Sequence, residues 1–154
     1  MEIREVFDNE TKQIITAKVL NDLPEWFGIE ESTKEYIGNV VKYPFIAAFI
    51  DDEAVGFYSL REENIYTLDM YVLGVLKEYH NKGVGTKLQE YANRYAKRNS
   101  FKYMIVITLA EKANNYEYSL TRKFYLKMGF IDLYQSDQIF DSYNPAQILI
   151  KIVN

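Results

Sequence analysis

Two glycines one residue apart, Gly83 and Gly85, lie between an apolar segment that ends at Val75 and a long amphipathic segment. The first turn of a helix has four backbone N–H groups without intrahelical partners, and the helix dipole adds partial positive charge there. Anions such as phosphate groups bind at such ends. Glycine tolerates positive φ and lets a phosphate oxygen approach the backbone closely. The spacing predicts either a phosphate-binding turn or a plain strand–turn–helix junction.

The residues around this turn disfavour two common nucleotide-binding motifs. A dinucleotide fingerprint needs a third glycine where this chain has Leu88, and no Gly-Lys-Ser/Thr sequence of a P-loop is present. Three lysines near the turn add positive charge, namely Lys77, Lys82 and Lys87. A phosphate ligand of another class therefore remains the functional interpretation of the turn.

The composition of the 154-residue chain narrows the classes of function. Its net charge of −4 argues against a general nucleic-acid binder, because affinity for phosphate backbones depends on clustered Lys and Arg. The absence of cysteine excludes thiolate metal sites and a cysteine nucleophile, and the single histidine leaves little for a zinc site. We expect neither nucleic acid nor a metal as a ligand.

The length predicts one domain spanning residues 1–154. The N-terminal residues lack the apolar core of a signal peptide, and no apolar run approaches the ~18 residues of a membrane-spanning helix. We therefore expect a cytoplasmic protein without a membrane partner.

Apolar periodicity predicts the element order β-α-α-β-β-β-α-β-α-β-β. Ser32 and Glu35 have the spacing of a capping box and predict the start of the second helix. The helix after the glycines has one apolar stripe, with its Lys, Gln, Asn and Arg residues on the other face. An unbroken apolar run at 103–109 predicts a central strand buried on both faces, as in a parallel sheet. The predicted strands are 3–7, 45–50, 54–60, 65–75, 103–109, 130–134 and 146–153, and the helices are 10–23, 32–41, 83–99 and 116–128.

Two motifs in this order carry a resemblance to the GNAT superfamily of acyl-CoA-dependent N-acyltransferases over nearly the whole chain. The first, His80-Asn81-Lys82-Gly83-Val84-Gly85, is similar to the superfamily's Gln/Arg-x-x-Gly-x-Gly/Ala, and the second runs from Thr121 to Phe130. His80 departs from the family's usual Gln or Arg, and Tyr118 stands where many members have an Asn that contacts the cofactor. The segment from Tyr118 to Arg122, with the later Asn144-Pro145, looks like a bacterial subgroup whose substrates are mostly unsettled.

The resemblance implies an α/β fold, an α+β sandwich with a mixed, mostly antiparallel sheet of about seven strands and helices on both faces. It implies that the fourth and fifth strands splay to admit acetyl-CoA as cosubstrate. The backbone of two strand residues is expected to pair with the pantetheine arm, and the N–H groups of the turn to hold the pyrophosphate. The implied cofactor-binding residues are Leu73, Val75, His80, Asn81, Lys82, Gly83, Val84, Gly85 and Thr86.

Acyl transfer to an amine needs a free amine lone pair, stabilisation of the oxyanion and a proton for the departing thiolate. In the family a Tyr at the position of Tyr125 commonly protonates the thiolate, and a phenol's reference pKa of ~10 suits a general acid. The alternative for Tyr125 is a helix tyrosine that only packs in the core.

Asp69 is the candidate general base, because it lies mid-strand and burial there would raise its pKa. Structural pairing of Asp69 with a lysine or tyrosine is the favoured alternative. Glu62, Glu63 and water are the other candidate bases, whereas the resemblance places His80 at the cofactor's phosphates.

Three aromatic residues, Trp26, Phe27 and Tyr36, lie where the family's first two helices form a wall of the acceptor cleft, so they shape the substrate pocket or pack in the core. The resemblance implies an N-acetyltransferase acting on a small-molecule amine by direct attack in a ternary complex. The alternatives are an enzyme acting on a protein N-terminus or lysine, and a non-catalytic acyl-CoA sensor or interaction module. A homodimer is compatible with either kind of protein.

Overall fold

A computed structural model describes residues 1–154, and its elements follow the predicted order. Most boundaries lie within two residues of those expected. The strands are β1 (Glu2–Glu5), β2 (Phe45–Ile50), β3 (Glu53–Glu62), β4 (Thr67–Val75), β5 (Tyr103–Leu109), β6 (Ile131–Asp141) and β7 (Asn144–Ile152). The helices are α1 (Asn9–Asn21), α2 (Glu30–Asn39), α3 (Val84–Arg98) and α4 (Tyr116–Lys127).

The strands form one sheet in the order β1-β2-β3-β4-β5-β7-β6. Every neighbouring pair is antiparallel except β4 and β5, which run parallel. These two strands pair only from Thr67 opposite Tyr103 to Asp69 opposite Ile105 and then separate. The expected mixed sheet and the splay of its fourth and fifth strands are confirmed.

Two apolar clusters cover opposite faces of the sheet. On one face α1 packs on β3 and β4 around stacked Phe45 and Phe57, whose ring centroids lie 5.2 Å apart. On the other face α3 packs through Val84, Leu88 and Ala92, and its cluster continues to Tyr125 of α4. Helices on both faces of the sheet are thereby confirmed.

Three details of the predicted elements were wrong. The helix α2 begins at Glu30 without a side-chain cap, because the acidic residues of its first turn already complement the helix dipole. Strand β6 continues to Asp141. Because β6 lies at the edge of the sheet, its residues are exposed, and its polar residues do not show the apolar pattern that predicts a strand. Strand β5 is central and parallel to β4 as predicted, but it is not buried on both faces: it is antiparallel to β7, and its burial alternates because α1 covers β3 and β4 rather than β5.

A fourth correction concerns Gln89 of α3, which the sequence places on the exposed polar face. Its side chain is fully buried, and its amide hydrogen-bonds the hydroxyl of Tyr58. The buried face of α3 is therefore wider than its apolar residues alone indicate.

The close approach of α1 to β4 depends on Gly74. A Cβ atom at this position would lie 2.7 Å from Cγ1 of Val19 and 3.2 Å from Cε1 of Phe57. We expect Gly74→Ala to lower the free energy of unfolding by about 1–3 kcal/mol through overpacking, as measured by urea denaturation.

The matched control is Gly38→Ala in α2, where an added Cβ meets nothing within 4 Å. Alanine favours helix over glycine by up to about 1 kcal/mol, so this variant should equal or exceed the wild type in stability. Equal stability of Gly74→Ala and the wild type would contradict the tight α1–β4 packing.

Candidate active site

The separation of β4 from β5 opens a cleft of about 1070 Å³. One side is formed by residues 70–75 of β4 and the other by residues 106–109 of β5. The glycine turn, the loop between α1 and α2, the helices α2 and α4, and the end of the β6–β7 hairpin complete its lining. The cleft is therefore bounded by every segment that carries a predicted site residue.

The edge of β4 that faces the cleft has unpaired backbone groups. On its other side Leu76 N–H donates to Val55 O, and in an antiparallel pair the backbone groups of alternate residues point to opposite sides. Leu73 and Val75 therefore direct their N–H and C=O groups toward β5, which has diverged by this point. An extended ligand could pair with these two residues as an added strand.

The turn between β4 and α3 exposes the uncapped start of a helix. Gly83 is the N-cap residue with φ of 84°, and no side chain caps the helix. Asn81 also adopts a positive φ, of 59°. The backbone N–H groups of the first turn of α3 thus lie free beside the cleft, which suits an anion.

The two glycines serve different purposes in the structure. The backbone at Gly83 is left-handed, which favours glycine, although an added Cβ atom would meet no neighbouring atom within 4 Å. A Cβ on Gly85 would instead lie 3.2 Å from the Phe124 ring. Gly85 therefore lets α3 approach α4, whereas the sequence predicts that it lets phosphate oxygens approach the backbone.

The lysines near the turn add less positive charge than the sequence suggests. Lys77 forms an ion pair with Glu25, and Lys87 forms one with Glu90. Lys82 lies over the ring of Tyr79 and, alone among residues 79–86, does not line the cleft. The anion-binding character of the turn therefore comes mainly from backbone N–H groups.

The imidazole of His80 is held at the end of β4. Its Nε2 atom lies 2.6 Å from the carbonyl oxygen of Val75, so Nε2 donates a hydrogen bond to that oxygen. The edge of the ring also contacts Trp26, with centroids 5.7 Å apart. The imidazole therefore occupies one backbone acceptor of β4.

Tyr125 lines the cleft and also belongs to the core of the sheet. Its side chain is 3% exposed, and its ring makes edge contacts with Phe124 and Phe130. Burial raises the pKa of the phenol, whereas a hydrogen bond with Tyr58 opposes that shift. Core packing and access to the cleft thus occur together at this residue.

Asp69 lies at the last residue pair before β4 and β5 separate. Its carboxylate is buried and accepts a hydrogen bond from Arg61 Nη2 at 2.7 Å, and it does not line the cleft. Burial raises its pKa to about 6 despite the opposing effect of Arg61. The structural partner is an arginine rather than the lysine or tyrosine that the sequence favours.

The two other candidate carboxylates lie outside the cleft. Glu62 and Glu63 are exposed, and Glu63 forms an ion pair with Arg61 at 3.1 Å. Asp69 is the only one of the three that is buried.

The sequence predicts that three aromatic residues line the acceptor pocket. All three line the cleft in the structure, namely Trp26, Phe27 and Tyr36. The ring of Tyr36 makes edge contacts with Phe27 and Tyr71, at centroid distances of 5.8 and 5.3 Å. Burial raises the pKa of Tyr36 to about 12. These rings form an aromatic surface on the α2 side of the cleft.

The loop after α1 reaches across to α4. Trp26 Nε1 donates to Thr121 Oγ1 and to Glu117 O, both at 3.2 Å. The Tyr118 hydroxyl donates to Trp26 O at 2.9 Å. Tyr118 thus joins α4 to this loop.

The motifs do not reveal Arg61, Tyr58 or Gln89, although all three affect the candidate residues. Arg61 donates a hydrogen bond to Asp69, and Tyr58 packs in the same cluster as Tyr125 and donates to Gln89. The position of Gln89 directly after Leu88 was the only feature of the sequence that could have indicated one of these residues.

No three His, Asp or Glu side chains converge as a metal site, and no helix has the length and apolarity to span a membrane.

A protein-family model described as an acetyltransferase (GNAT) domain matches residues 42–132. These residues include β2–β5, the glycine turn, α3 and α4. A search of curated protein sequences found no significant match.

Several solved structures share the fold over almost the whole chain. A GNAT-family protein from Desulfovibrio desulfuricans has a TM-score of 0.86 at 16% identity, covering 99% of both chains. An aminoglycoside 6′-N-acetyltransferase complexed with coenzyme A has a TM-score of 0.78 at 18% identity, covering 100% of this chain and 98% of that one. A ribosomal-protein-alanine N-acetyltransferase from Brucella melitensis has a TM-score of 0.71 at 15% identity, covering 99% of both.

The buried carboxyl of Asp69 gives a pH-dependent contribution to stability. Its pKa rises from 3.8 to about 6 on folding, so folding favours the protonated form, and this contribution is lost as pH rises from about 4 through 6. Asp69→Asn removes the titration. We expect its free energy of unfolding, relative to wild type, to increase by roughly 2.4 kcal/mol between pH 4 and pH 7.

Urea denaturation at several pH values measures this difference. Glu63→Gln is the control, since it removes an exposed carboxylate that also pairs with Arg61. A difference between Asp69→Asn and wild type that is constant with pH would contradict a raised pKa at Asp69.

Proposed function

This chain belongs to the family of GNAT acetyltransferases, and we propose that it transfers an acetyl group from acetyl-CoA to the primary amine of a small molecule. In this proposal residues 1–154 act as one catalytic domain, and the amine attacks directly in a ternary complex. The observation that carries the proposal is the meeting of two features in one cleft: an unpaired strand edge and an uncapped helix start.

Acetyl-CoA fits these two features. The C=O of Leu73 and the N–H of Val75 would pair with the amides of the pantetheine arm, as in a β-ladder. The N–H groups from Asn81 to Thr86 would hold the pyrophosphate, with His80 and Lys82 nearby. The carbonyl oxygen of Val75 already accepts a hydrogen bond from His80, so the N–H of Val75 is the group that would bond the ligand.

The bound cosubstrate supplies an activated acetyl thioester. The protein must stabilise the negative charge that develops on the thioester oxygen and supply a proton to the leaving sulfur. The free Leu73 N–H is a donor for the developing oxyanion. Tyr125 holds a proton on its phenol oxygen inside the cleft and serves as the general acid for the leaving sulfur. Its raised pKa keeps that proton in place at neutral pH.

Asp69 is the proposed general base. Because it does not line the cleft, it would receive the amine's proton through a water molecule. A pKa of about 6 leaves the carboxylate largely ionised at neutral pH and makes it a stronger base than an ordinary aspartate. Arg61 orients the carboxylate through its 2.7 Å hydrogen bond.

The lining of the cleft favours an amine with an apolar or aromatic body. Trp26, Phe27 and Tyr36 offer ring faces and edges to such a body and to a single cation. The carboxylates that line the cleft are Glu25, which Lys77 neutralises, and Asp141. A substrate with several ammonium groups would find little complementary charge.

The function is tested with a panel of amines and acetyl-CoA, following thiol release. We expect phenethylamine-like monoamines to exceed spermidine and kanamycin in kcat/KM by about tenfold or more, because burial of an aromatic body provides roughly 1.5–3 kcal/mol. Phe27→Ala should reduce this preference by raising KM for the aromatic amine.

The outcomes of the panel separate the alternatives. A preference for kanamycin would contradict the aromatic-amine acceptor, and a preference for peptide N-termini or lysines would indicate a protein substrate. Tight CoA binding with no turnover of any amine or peptide would identify a non-catalytic acyl-CoA-binding module.

Binding of the cosubstrate is tested by thermal shift with CoA. A ligand that binds only the folded protein raises Tm with its concentration. Gly83→Ala strains the backbone at a φ of 84°, at a cost of about 1–2 kcal/mol, and should weaken CoA binding about tenfold.

Gly38→Ala, far from the turn in α2, should leave the CoA-induced shift unchanged. If CoA shifts Tm equally for the wild type and Gly83→Ala, the pyrophosphate is not held by the start of α3.

A further inference from the structure

The hydroxyl of Thr108 in β5 is buried without a hydrogen-bond partner. Its side chain is 4% exposed, and its Oγ1 atom makes no hydrogen bond. The other buried Ser and Thr hydroxyls each donate to a backbone carbonyl, namely those of Thr16, Thr33 and Ser59. Leaving a buried hydroxyl unpaired destabilises a protein, so this exception requires an explanation.

One other buried side-chain atom lacks a partner, namely Nε of Arg61. The same guanidinium is nevertheless paired through Nη2, which lies 2.7 Å from the Asp69 carboxylate and 3.1 Å from that of Glu63. Arg61 does not line the cleft, whereas Thr108 does. Thr108 is therefore the one buried, unpaired group that borders the proposed ligand site.

The pattern of β5 favours an apolar side chain at this position. Burial alternates along the strand, and Met104 and Val106, which precede Thr108 on the same face, belong to the apolar cluster of Tyr125. Valine has the same branched shape as threonine and would continue this face without burying a hydroxyl. Packing therefore does not account for the hydroxyl, and the cleft is the place from which a partner can reach it.

Thr108 lies close to the level of Leu73 on the opposite side of the gap. The last pair of β4 and β5 is Asp69 with Ile105, from which Leu73 is four residues further along β4 and Thr108 three residues further along β5. Of the β5 residues that line the cleft, 106–109, only Thr108 has a polar side chain. Strand β5 thus offers a ligand in the gap one side-chain hydroxyl.

An amide bound to Leu73 would present its other polar group to β5. A trans amide directs its N–H and its C=O to opposite sides. In the proposed complex an amide of the pantetheine arm donates its N–H to the carbonyl oxygen of Leu73, so the C=O of that amide points away from β4 and toward β5. The hydroxyl of Thr108 is a donor for this carbonyl, because a hydroxyl hydrogen rotates to suit its acceptor.

We propose that Thr108 is a binding residue for the cosubstrate, whose hydroxyl donates a hydrogen bond to an amide carbonyl of the pantetheine arm. The inference rests on the proposed function, in which acyl-CoA occupies this cleft, and it is independent of the amine and of turnover. The backbone of β4 and the hydroxyl from β5 then hold the arm from both sides. Because the hydroxyl is unpaired in the free protein and paired in the complex, binding removes an unfavourable burial.

The substitution Thr108→Val tests this inference with little change of shape. Because it removes an unpaired buried hydroxyl, it should raise the Tm of the free protein by about 2–4 °C. Because it also removes the donor to the arm, it should weaken CoA binding about tenfold, the equivalent of one hydrogen bond of 1.4 kcal/mol, as measured by isothermal titration calorimetry. Damage to packing would not make a variant both more stable and weaker in binding.

A second ligand separates the arm from the phosphates. ADP 3′-phosphate is CoA without the pantetheine arm, so Thr108→Val should bind it as the wild type does, whereas Gly83→Ala should weaken both ligands. Thr108→Ser keeps the hydroxyl and should retain wild-type affinity for CoA. Thr16→Val is the matched control, because the hydroxyl of Thr16 is buried but donates to Lys12 O at 2.7 Å. This control should neither raise Tm nor change the affinity for CoA.

The results separate the inference from the proposed function. A higher Tm and tenfold weaker CoA binding in Thr108→Val, with unchanged binding of ADP 3′-phosphate, support the inference. Equal CoA affinity of Thr108→Val and the wild type, or equal weakening of both ligands, overturns it while the proposed function stands. A lower Tm of free Thr108→Val would show that the hydroxyl is already paired in the free protein and likewise overturns it. If the wild type binds neither ligand, the proposed acyl-CoA site itself fails.

Discussion

The divergence of β4 from β5 is the constraint on which the rest of this structure depends. Two parallel strands that pair for three residues and then separate leave backbone donors and acceptors unpaired in the middle of a sheet. Such groups are costly when buried, so the gap must remain open to solvent or be filled by a ligand with matching groups. Tyr125 lines the gap and packs against Phe124 and Phe130.

The cleft relies on backbone geometry more than on charged side chains. The lysines next to the glycine turn are largely neutralised by Glu25 and Glu90, while the start of α3 has no side-chain cap. A positive φ at Gly83 directs the chain into the helix so that its first N–H groups face the cleft. The acidic net charge of the protein is therefore compatible with an anionic ligand at this one place.

Several polar groups buried around the cleft are paired with other polar side chains. Asp69 is bonded to Arg61 yet keeps a raised pKa, because burial outweighs the arginine. Tyr125 packs in the same apolar cluster as Tyr58, whose hydroxyl donates to Gln89 Oε1. Arg61 thus fixes the orientation of the Asp69 carboxylate, and both Arg61 and Tyr58 come from β3.

The sequence by itself determined the order of the elements, the glycine turn and the motif around Tyr125, because these depend on local periodicity and on short motifs. It did not determine that Gln89 is buried, that Asp69 pairs with Arg61 or that Trp26 bonds α4. These features depend on contacts between residues distant in the chain; Trp26 and Thr121 are 95 residues apart. Only the tertiary structure decides which polar side chains lose their water and which partners replace it, because burial is a property of the packed layers and not of any one segment.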